Sequence, residues 1–408
     1  MTLDTRATSA IVDPSPHGAH RHPVPVREDD HLFAPLAAEV GSVAAAHADD
    51  HDRAATFVTE AYAAMRSTGY LRLAVPLDLG GLGASIRQVC YAQAELARHD
   101  GASALAAAMH QYNVLAQVHR WARGAPDAEG VLRRVAGDDL VIATSGGSDW
   151  LWPTTVATVD GDELVVSGRK TFCSQAPEAS VITTSAVLGE PGDGAEVLHF
   201  AVALSSPGVR LEETWDTLGM RGTASHDLVF DQVRVPLGTV AARRPWGELG
   251  APLTLAAVHF APVVAATYFG IAAAARDVAA SAVGTRVDGS GSALARAHRQ
   301  IGLIEVTLRS AWWGLLGALD EVAPTGTVET ADAGALATVM TAKRQVVTGA
   351  IDVVDRAMDL VGGRSYFRRS PLERMHRDVR AGTFHPFTPE ATLTYAGKVA
   401  LGDPGVTE

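Results

Sequence analysis

The spacing of apolar residues changes twice along this chain of 408 residues, and that change most limits the folds it can adopt. From residue 31 to about 136 apolar residues recur at helical spacing, as in Phe57, Ala61 and Met65. From about 139 to 236 the period becomes two, in β-branched runs separated by turn pairs such as Asp160-Gly161. Long helical patterns return from residue 249. The pattern therefore predicts a helical region, a β-rich region and a helical bundle, in that order.

These changes divide the chain into four parts. They are a leader at 1–30, an N-terminal helical domain at 31–137, a middle β domain at 138–240 and a C-terminal helical bundle at 241–408. The leader has no apolar segment behind a basic start, so it does not resemble a secretory signal. We expect it to be flexible.

One stretch of the bundle, residues 255–275, is apolar for about the length of a bilayer crossing. It consists mostly of Ala and Val, is interrupted by His259, Pro262 and Thr267, and has no aromatic or basic belt beside it. We interpret it as a buried helix, and we predict no membrane partner.

Charge and cysteine content exclude other classes of partner. The chain has 34 Lys and Arg against 46 Asp and Glu, a net charge of −12, and no basic run that would bind phosphates. We therefore predict no nucleic-acid partner. Cys90 and Cys173 are too few and too far apart for a disulfide framework or a metal site. The sequence predicts a cytoplasmic protein without a metal.

Four short motifs occur in a fixed order between residues 30 and 402. They are VPLDLGGLG at 75–83, GRKTFCS at 168–174, LGMRGTAS at 218–225, and GGRSY at 362–366 followed by Arg377-Asp378. Each motif alone is weak evidence. Together and in this order they resemble the acyl-CoA dehydrogenase superfamily of flavin enzymes.

The resemblance implies an α+β fold that is mostly α, with an N-terminal helical domain, a middle β-barrel-like domain and a C-terminal four-helix bundle. It also implies a flavin, either FAD or FMN, held between the β domain and the bundle. A neighbouring subunit would supply part of that site. The expected assembly is a homotetramer or a homodimer.

The same resemblance assigns the residues of the flavin site. Phe172 and Ser174 would lie along the flavin ring as an aromatic wall and a hydroxyl. The remaining cofactor residues are implied by their places in the motifs: Thr144, Ser145 and Ser148 in a shortened TSGGSD segment, Gly362 and Gly363 beside the dinucleotide part, and Arg286. The two glycines also suit a helix C-cap, and Thr223 and Ser225 also suit the cap of a turn.

An acyl-CoA dehydrogenase needs a carboxylate that removes the substrate's α-proton. In most relatives that Glu follows the Arg-Asp pair by eight residues, but here the eighth residue after Asp378 is Pro386. The start of the first bundle helix, residues 253–260, contains no acid either, and the nearest carboxylate is Glu390. We therefore expect the dehydrogenase base to be absent.

His385 stands seven residues after Asp378, a spacing that resembles the flavin-dependent monooxygenase branch of this fold. There, reduced flavin from a separate reductase reacts with dioxygen to give a flavin hydroperoxide. His385 would donate a hydrogen bond to it and Ser174 would be a second donor, so we predict these two as catalytic residues. The alternative for His385 is a loop histidine without a catalytic part.

The substrate pocket is predicted from one helix. His110, Tyr112 and Asn113 fall where this superfamily lines its substrate cavity, and they would place polar groups in an apolar wall. His110 suits a hydrogen-bonded core histidine equally well.

Three functions follow from these observations. The preferred one is a monooxygenase that oxidises a nitrogen, sulfur or aromatic carbon centre of a small molecule. The second is an acyl-CoA or acyl-carrier dehydrogenase with Glu390 as a relocated base. The third is a catalytically silent protein of this fold used for binding or assembly, which the flavin-type spacing of Phe172 and Ser174 disfavours.

Overall fold

The computed structural model of the protein describes residues 21–137, 140–284 and 291–403. The first helices are α1 (Ala34–Ala54), α2 (Thr59–Thr68), α3 (Ile86–His99), α4 (Gly101–Ala122) and α5 (Ala128–Gly137). The strands are β1 (Ile142–Thr144), β2 (Val156–Asp160), β3 (Glu163–Lys170), β4 (Val181–Leu188), β5 (Glu196–Ala203), β6 (Val209–Glu212), β7 (Asp227–Pro236) and β8 (Ala242–Pro245). The last helices are α6 (Gly250–Gly284), α7 (Gly291–Val322), α8 (Ala333–Val361), α9 (Pro371–Val379) and α10 (Pro389–Ala400).

Capping residues set the ends of several helices. The Ser85 side chain accepts from the backbone N–H of Gln88, and the Gln88 side chain accepts from that of Ser85, so a capping box starts α3. Asp332 caps α8 by accepting from the backbone of Ala335. At its other end α8 stops at Gly362, whose φ of 73° few other residues adopt.

The strands form one sheet in the order β6-β7-β3-β2-β4-β5-β8, with β1 pairing with β4. Most neighbours are antiparallel, but β4 runs parallel to both β1 and β2. The sheet has its own apolar core, which includes Leu164, Phe200 and Phe230. The middle region therefore has an apolar core of its own, while Ile142 of β1 packs into the helical core.

Helix α6 is the centre of the helical core and packs against α3, α4, α7 and α8. It is long and apolar enough to cross a membrane, but 83% of its most apolar window is buried inside the protein. Residues 255–275 therefore form a core helix, as the sequence predicts.

Residues 21–30 pack against the helices, which corrects the expectation of a flexible leader that reaches residue 30. His22 is buried, and its Nε2 lies 2.8 Å from a carboxylate oxygen of Glu305. Asp30 is also buried and forms a 2.6 Å ion pair with Arg87 of α3. These ten residues belong to the folded helical region.

The loop at residues 218–225 joins the three parts of the molecule. The Met220 backbone N–H donates to the Asp378 carboxylate at 2.5 Å, which ties the loop to α9. A Cβ on Gly219 would lie only 2.4 Å from the carbonyl carbon of Arg377, so only glycine fits there. Arg377 in turn forms a two-pronged ion pair with Asp52 of α1, at 2.7 and 2.8 Å. The loop is thus fixed against both helical regions.

Candidate active site

A cavity of about 750 Å³ lies between the sheet, α4, the start of α6 and the segment that follows α9. Its lining is mostly apolar and includes Tyr112, Phe172, Ser174, Trp215, Phe260 and His385. A large apolar cavity with few polar groups is the usual form of a cofactor or ligand site. The cavity therefore holds the predicted catalytic pair.

Phe172 forms one wall of the cavity. The residue is 51% exposed, and its ring packs edge-on against Trp215 with 5.9 Å between the ring centres. Its backbone has a φ of 55°, unusual for a residue with a side chain. Flanking backbone hydrogen bonds hold this turn, from Cys173 to His226 at 3.1 Å and from Gln175 to Thr223 at 3.0 Å. The ring is therefore held open toward the cavity.

Ser174 begins a chain of three hydroxyl groups. Its Oγ lies 2.7 Å from the Oγ of Ser225, which lies 2.7 Å from the Oγ1 of Thr223. Thr223 Oγ1 also lies 2.9 Å from the carbonyl oxygen of Met220, which can only accept. All three contacts can be hydrogen bonds in only one arrangement of the hydroxyl protons. In that arrangement Thr223 donates to Met220, Ser225 donates to Thr223 and Ser174 donates to Ser225.

The direction of this hydroxyl chain gives Ser174 a role different from the predicted one. Because its proton points to Ser225, Ser174 offers the cavity the lone pairs of its oxygen. The prediction that Ser174 is a donor is therefore corrected: in this arrangement it accepts a hydrogen bond from a bound group. The contact of Thr223 with Met220 caps the turn, as the alternative expects, but the contact of Ser225 with Ser174 reaches outside the turn.

Thr144 and Ser145 also line the cavity, at the end of β1. The Ser145 hydroxyl lies 3.3 Å from the Asp149 carboxylate and 3.2 Å from the Thr184 hydroxyl. Asp149 is held by the fully buried Lys170, whose Nζ lies 2.9 Å away, and burial lowers the pKa of that lysine. The side chain of Ser148 lies outside the described part of the structure.

His385 lies on the cavity wall formed by the segment after α9. Its Nε2 is 2.7 Å from the hydroxyl of Tyr268, and its ring packs edge-on against Phe260. Burial, with the nearby charge of Lys343, lowers the pKa of His385 to about 3. The imidazole is therefore neutral near pH 7 and carries one N–H.

The three predicted pocket residues divide into two groups. Tyr112 and Asn113 line the cavity, and Asn113 accepts from the Thr183 hydroxyl at 3.1 Å. His110 lies outside the lining and is fully buried. Its Nε2 lies 2.7 Å from the carbonyl of Leu71, its Nδ1 accepts from the backbone of Ile142, and burial lowers its pKa to about 4. The prediction of His110 as a pocket residue is corrected: it is a core histidine.

Other predicted residues lie away from the cavity. Gly362 donates its backbone N–H to Met358 at the end of α8, and neither it nor Gly363 lines the cavity of this chain. Glu390, the candidate relocated base, is exposed in the first turn of α10. It does not line the cavity either. Arg286 lies outside the described residues.

The residues present fit a flavin ring. A half-exposed Phe172 inside a cavity suits contact with a flat ring system, and Trp215 and Phe260 extend the aromatic lining. Ser174 supplies an acceptor and a neutral His385 a single donor, groups that suit the polar edge of such a ring. Among the described lining residues the only carboxylate is Asp127, which is ion-paired with Arg120 at 2.8 Å.

Two residues beside the site were not found by sequence reasoning. Tyr268 lies in the Ala-rich helix α6, where the sequence pattern predicts that an aromatic residue packs in the core. Lys343 lies in α8 and is 2% exposed, although lysine is rarely buried. The one available signal was its place in an otherwise apolar helical pattern.

Comparison with known proteins places this arrangement in context. Family models for the N-terminal, middle and C-terminal domains of acyl-CoA dehydrogenase match residues 28–126, 144–233 and 262–390. The chain is 33% identical over 370 residues to the amino sugar nitrososynthase DnmZ of Streptomyces peucetius, covering 88% of this chain and 90% of that protein. It is 32% identical over 373 residues to the amino sugar nitrososynthase RubN8 of Streptomyces rubradiris, covering 88% and 86%.

A solved structure with the same architecture is that of KijD3 in complex with FMN and dTDP-3-amino-2,3,6-trideoxy-4-keto-3-methyl-D-glucose. It superposes with a TM-score of 0.81 at 28% identity and covers 93% of this chain and 95% of KijD3. The similarity therefore extends through all three parts of the fold.

Proposed function

The chain belongs to the acyl-CoA dehydrogenase family and is a flavin-dependent oxidoreductase, and we propose that it oxidises the amino group of a nucleotide-linked amino sugar. The observation that carries the proposal is the polar set of the cavity: a neutral His385 and a hydroxyl acceptor, with Asp127 the only carboxylate among the described lining residues.

This polar set is unsuited to dehydrogenation. A dehydrogenase base must be an ionised carboxylate within hydrogen-bond reach of the substrate carbon. Asp127 is already paired with Arg120, and Glu390 lies outside the cavity. His385, with a pKa lowered to about 3, is too weak a base to replace them.

An oxygenation, by contrast, needs few charged groups. When bound, a reduced flavin supplies two electrons and activates dioxygen. One oxygen atom enters an N–H bond of the amine to give a hydroxylamine, and the other leaves as water. A second round with another dioxygen and another reduced flavin converts the hydroxylamine to a nitroso group and releases two waters.

The residues of this chain have defined parts in that reaction. Phe172 and Trp215 would hold a bound flavin ring, and the Ser174 oxygen would accept the N–H that the ring carries only when reduced. His385 would donate its single N–H to the oxygen that departs as water. The apolar lining keeps bulk water away, which limits wasteful release of hydrogen peroxide.

The proposed substrate class draws on the relatives and on the cavity. DnmZ and RubN8 are named for amino sugars, and KijD3 was crystallised with a dTDP-linked amino sugar. The cavity lining here includes Arg120 and Arg380, each paired with one carboxylate, at 2.8 Å with Asp127 and at 2.5 Å with Asp355. A guanidinium has five N–H groups, so each can still contact a diphosphate.

We extend the proposal to partners and place. The enzyme works in the cytoplasm, receives reduced flavin from a separate reductase and forms a homotetramer or homodimer. Exposed Tyr366 and Phe367 support assembly, because they place an apolar patch beside Gly362 and Gly363 on the surface. There a second copy would complete the phosphate end of the flavin site.

The test supplies chemically reduced FMN, labelled dioxygen and a dTDP-linked amino sugar, and follows products by mass spectrometry. We expect a hydroxylamine and then a nitroso product, each with one oxygen from dioxygen. A matched sugar with a hydroxyl in place of the amine should give only hydrogen peroxide. Bleaching of oxidised enzyme-bound flavin by an acyl thioester, without N-oxidation, would overturn the proposal in favour of a dehydrogenase.

A further inference from the structure

Lys343 has an unusual environment for a lysine. Its side chain is buried in α8, and no carboxylate in the described chain is bonded to it. Its Nζ instead lies 3.1, 3.1 and 2.8 Å from three consecutive backbone carbonyl oxygens, those of His385, Pro386 and Phe387. The lysine therefore donates hydrogen bonds to the backbone of the segment that carries His385, the proposed hydrogen-bond donor to oxygen.

The number of donors explains how this contact fixes the segment. An ammonium group has three N–H donors, one for each carbonyl, whereas a neutral amine has two and would leave one carbonyl without a partner. Burial lowers the pKa of Lys343 to about 7, so the three-donor ammonium form predominates below that pH. Burying a cation without a carboxylate is costly unless dipoles replace the lost water. The three carbonyls do so only while they converge on Nζ, and that requirement holds residues 385–387 in place.

Tyr268 determines which ring nitrogen of His385 carries the proton. Tyr268 is fully buried, and within the described chain the only hydrogen-bond partner of its hydroxyl is His385 Nε2, at 2.7 Å. If Nε2 carried the proton, the tyrosine O–H would have no acceptor, which is costly for a buried donor. The tyrosine therefore donates to Nε2, and the proton of the neutral ring lies on Nδ1.

The remaining nitrogen faces the cavity side. His385 lines the cavity, and its Nδ1 has no partner among residues 21–137, 140–284 and 291–403. An atom without a partner that is not fully buried must be accessible, so Nδ1 is open to the cavity. The positive charge of Lys343 disfavours a second proton on the ring and contributes to its lowered pKa.

We infer that Lys343 and Tyr268 are positioning residues that hold His385 as a neutral imidazole with its N–H on Nδ1, directed into the cavity. The inference rests on the proposed function in one respect, that this N–H serves an oxygenation. Neither residue lines the cavity, so each acts through His385.

The first test reads the tautomer directly and needs neither flavin nor substrate. In protein labelled with ¹⁵N-histidine, the signals of His385 are assigned by their loss in His385→Asn. We expect Nδ1 at the shift of a protonated ring nitrogen and Nε2 at that of an unprotonated one. Tyr268→Phe should shift the ring toward the Nε2–H form. A wild-type ring protonated on Nε2, or an unchanged tautomer in Tyr268→Phe, would overturn the role of Tyr268.

The second test separates positioning from packing for Lys343. Lys343→Met keeps the length of the side chain but removes all three donors. We expect its His385 signals to broaden or shift and its yield of product per dioxygen to fall about tenfold, with the KM for the sugar unchanged. A folded Lys343→Met protein with wild-type His385 signals and yield would refute a positioning role. If it does not fold, Lys343→Gln, with two amide donors, gives the same readouts, and wild-type values would again refute the role.

Tyr70→Phe is the matched control for loss of a buried hydroxyl, because the Tyr70 hydroxyl donates to Gln93 at 2.8 Å, away from the cavity lining. It should leave the signals of His385 unchanged, and a change equal to that in Tyr268→Phe would count against the inference. These measurements can fail while the amino-sugar assay succeeds, so the two proposals are tested apart.

Discussion

The hydroxyl oxygens of Ser174 and Ser225 lie 2.7 Å apart, and this contact commits the proton of Ser174 to Ser225. The cavity is thereby offered an acceptor on one wall, while His385 offers a donor from another. An acceptor at the Phe172 wall suits a flavin whose ring nitrogen carries hydrogen, which is the reduced form.

Ser225→Ala frees the Ser174 hydroxyl to donate to the ring nitrogen of oxidised flavin. We expect the affinity ratio of reduced to oxidised FMN to fall about tenfold, the size of one hydrogen bond. Anaerobic titration of the apoprotein with each form measures the ratio. Thr223→Val should act in the same direction, because it removes the group to which Ser225 donates. An unchanged ratio in both variants would contradict the assigned direction of the hydroxyl chain.

His385→Gln should lower the yield of N-oxidised product per dioxygen by about one to two orders of magnitude, with a matching rise in hydrogen peroxide, because the positioned donor is lost. Product and peroxide are quantified in the same reaction. His298→Gln, which changes an exposed histidine of α7, is the control. Equal yields in the two variants would remove His385 from the reaction.

Glu390→Gln should leave N-oxidation unchanged, because Glu390 is exposed and lies outside the cavity. We also expect its free energy of unfolding to stay within about 0.5 kcal/mol of the wild type, as for most surface changes. Thermal unfolding and the product assay check the two expectations. Lost turnover in a folded Glu390→Gln protein would instead favour a dehydrogenase with a relocated base.

Stability should fall as the pH drops below about 6.5. Burial lowers the pKa of His110 and His259 to about 4 and that of His199 and His385 to about 3. Since the folded values lie below the unfolded one, the unfolded chain binds more protons in this window, and each group removes up to about 1.4 kcal/mol per pH unit. The raised pKa of Asp378, about 7, has the opposite effect, because it favours the folded state as the pH falls. It is one group against four histidines.

The pH dependence is checked by denaturant unfolding between pH 4 and pH 7. His259→Gln should show a shallower slope than the wild type, because one of the four histidines no longer titrates. His298→Gln serves again as the surface control and should keep the wild-type slope. Identical slopes in all three proteins would contradict the assignment of His259 as a neutral buried group.

The helices and strands could be predicted because the spacing of their apolar residues is a local property of the sequence. The β-branched run at 228–235 became β7, Asp227–Pro236, and the helical pattern at 331–360 became α8, Ala333–Val361. His110 was misplaced because α4 is buried on almost every side, so that helical spacing cannot tell a cavity face from a core face. Phe172, Ser174 and His385, which the motifs singled out, line one cavity.

The hydrogen-bond roles could not be predicted because they depend on distant partners. Whether Ser174 donates or accepts is decided by Ser225, 51 positions along the chain. The tautomer of His385 depends on Tyr268, 117 positions away. A motif gives the type of residue at each place, but the direction of a proton follows from the whole neighbourhood.

In the loop at 218–225, the backbone of Met220 makes two hydrogen bonds, one to α9 and one to the hydroxyl chain. The N–H of Met220 donates to Asp378, while its carbonyl oxygen accepts a hydrogen bond from the Thr223 hydroxyl at the far end of the hydroxyl chain. A substitution that shifts α9 would therefore alter the hydrogen bond offered at Ser174 without touching the cavity. We therefore expect α9 and the loop at 218–225 to change together in evolution. In a family alignment, changes at 378 should be accompanied by changes within 220–225.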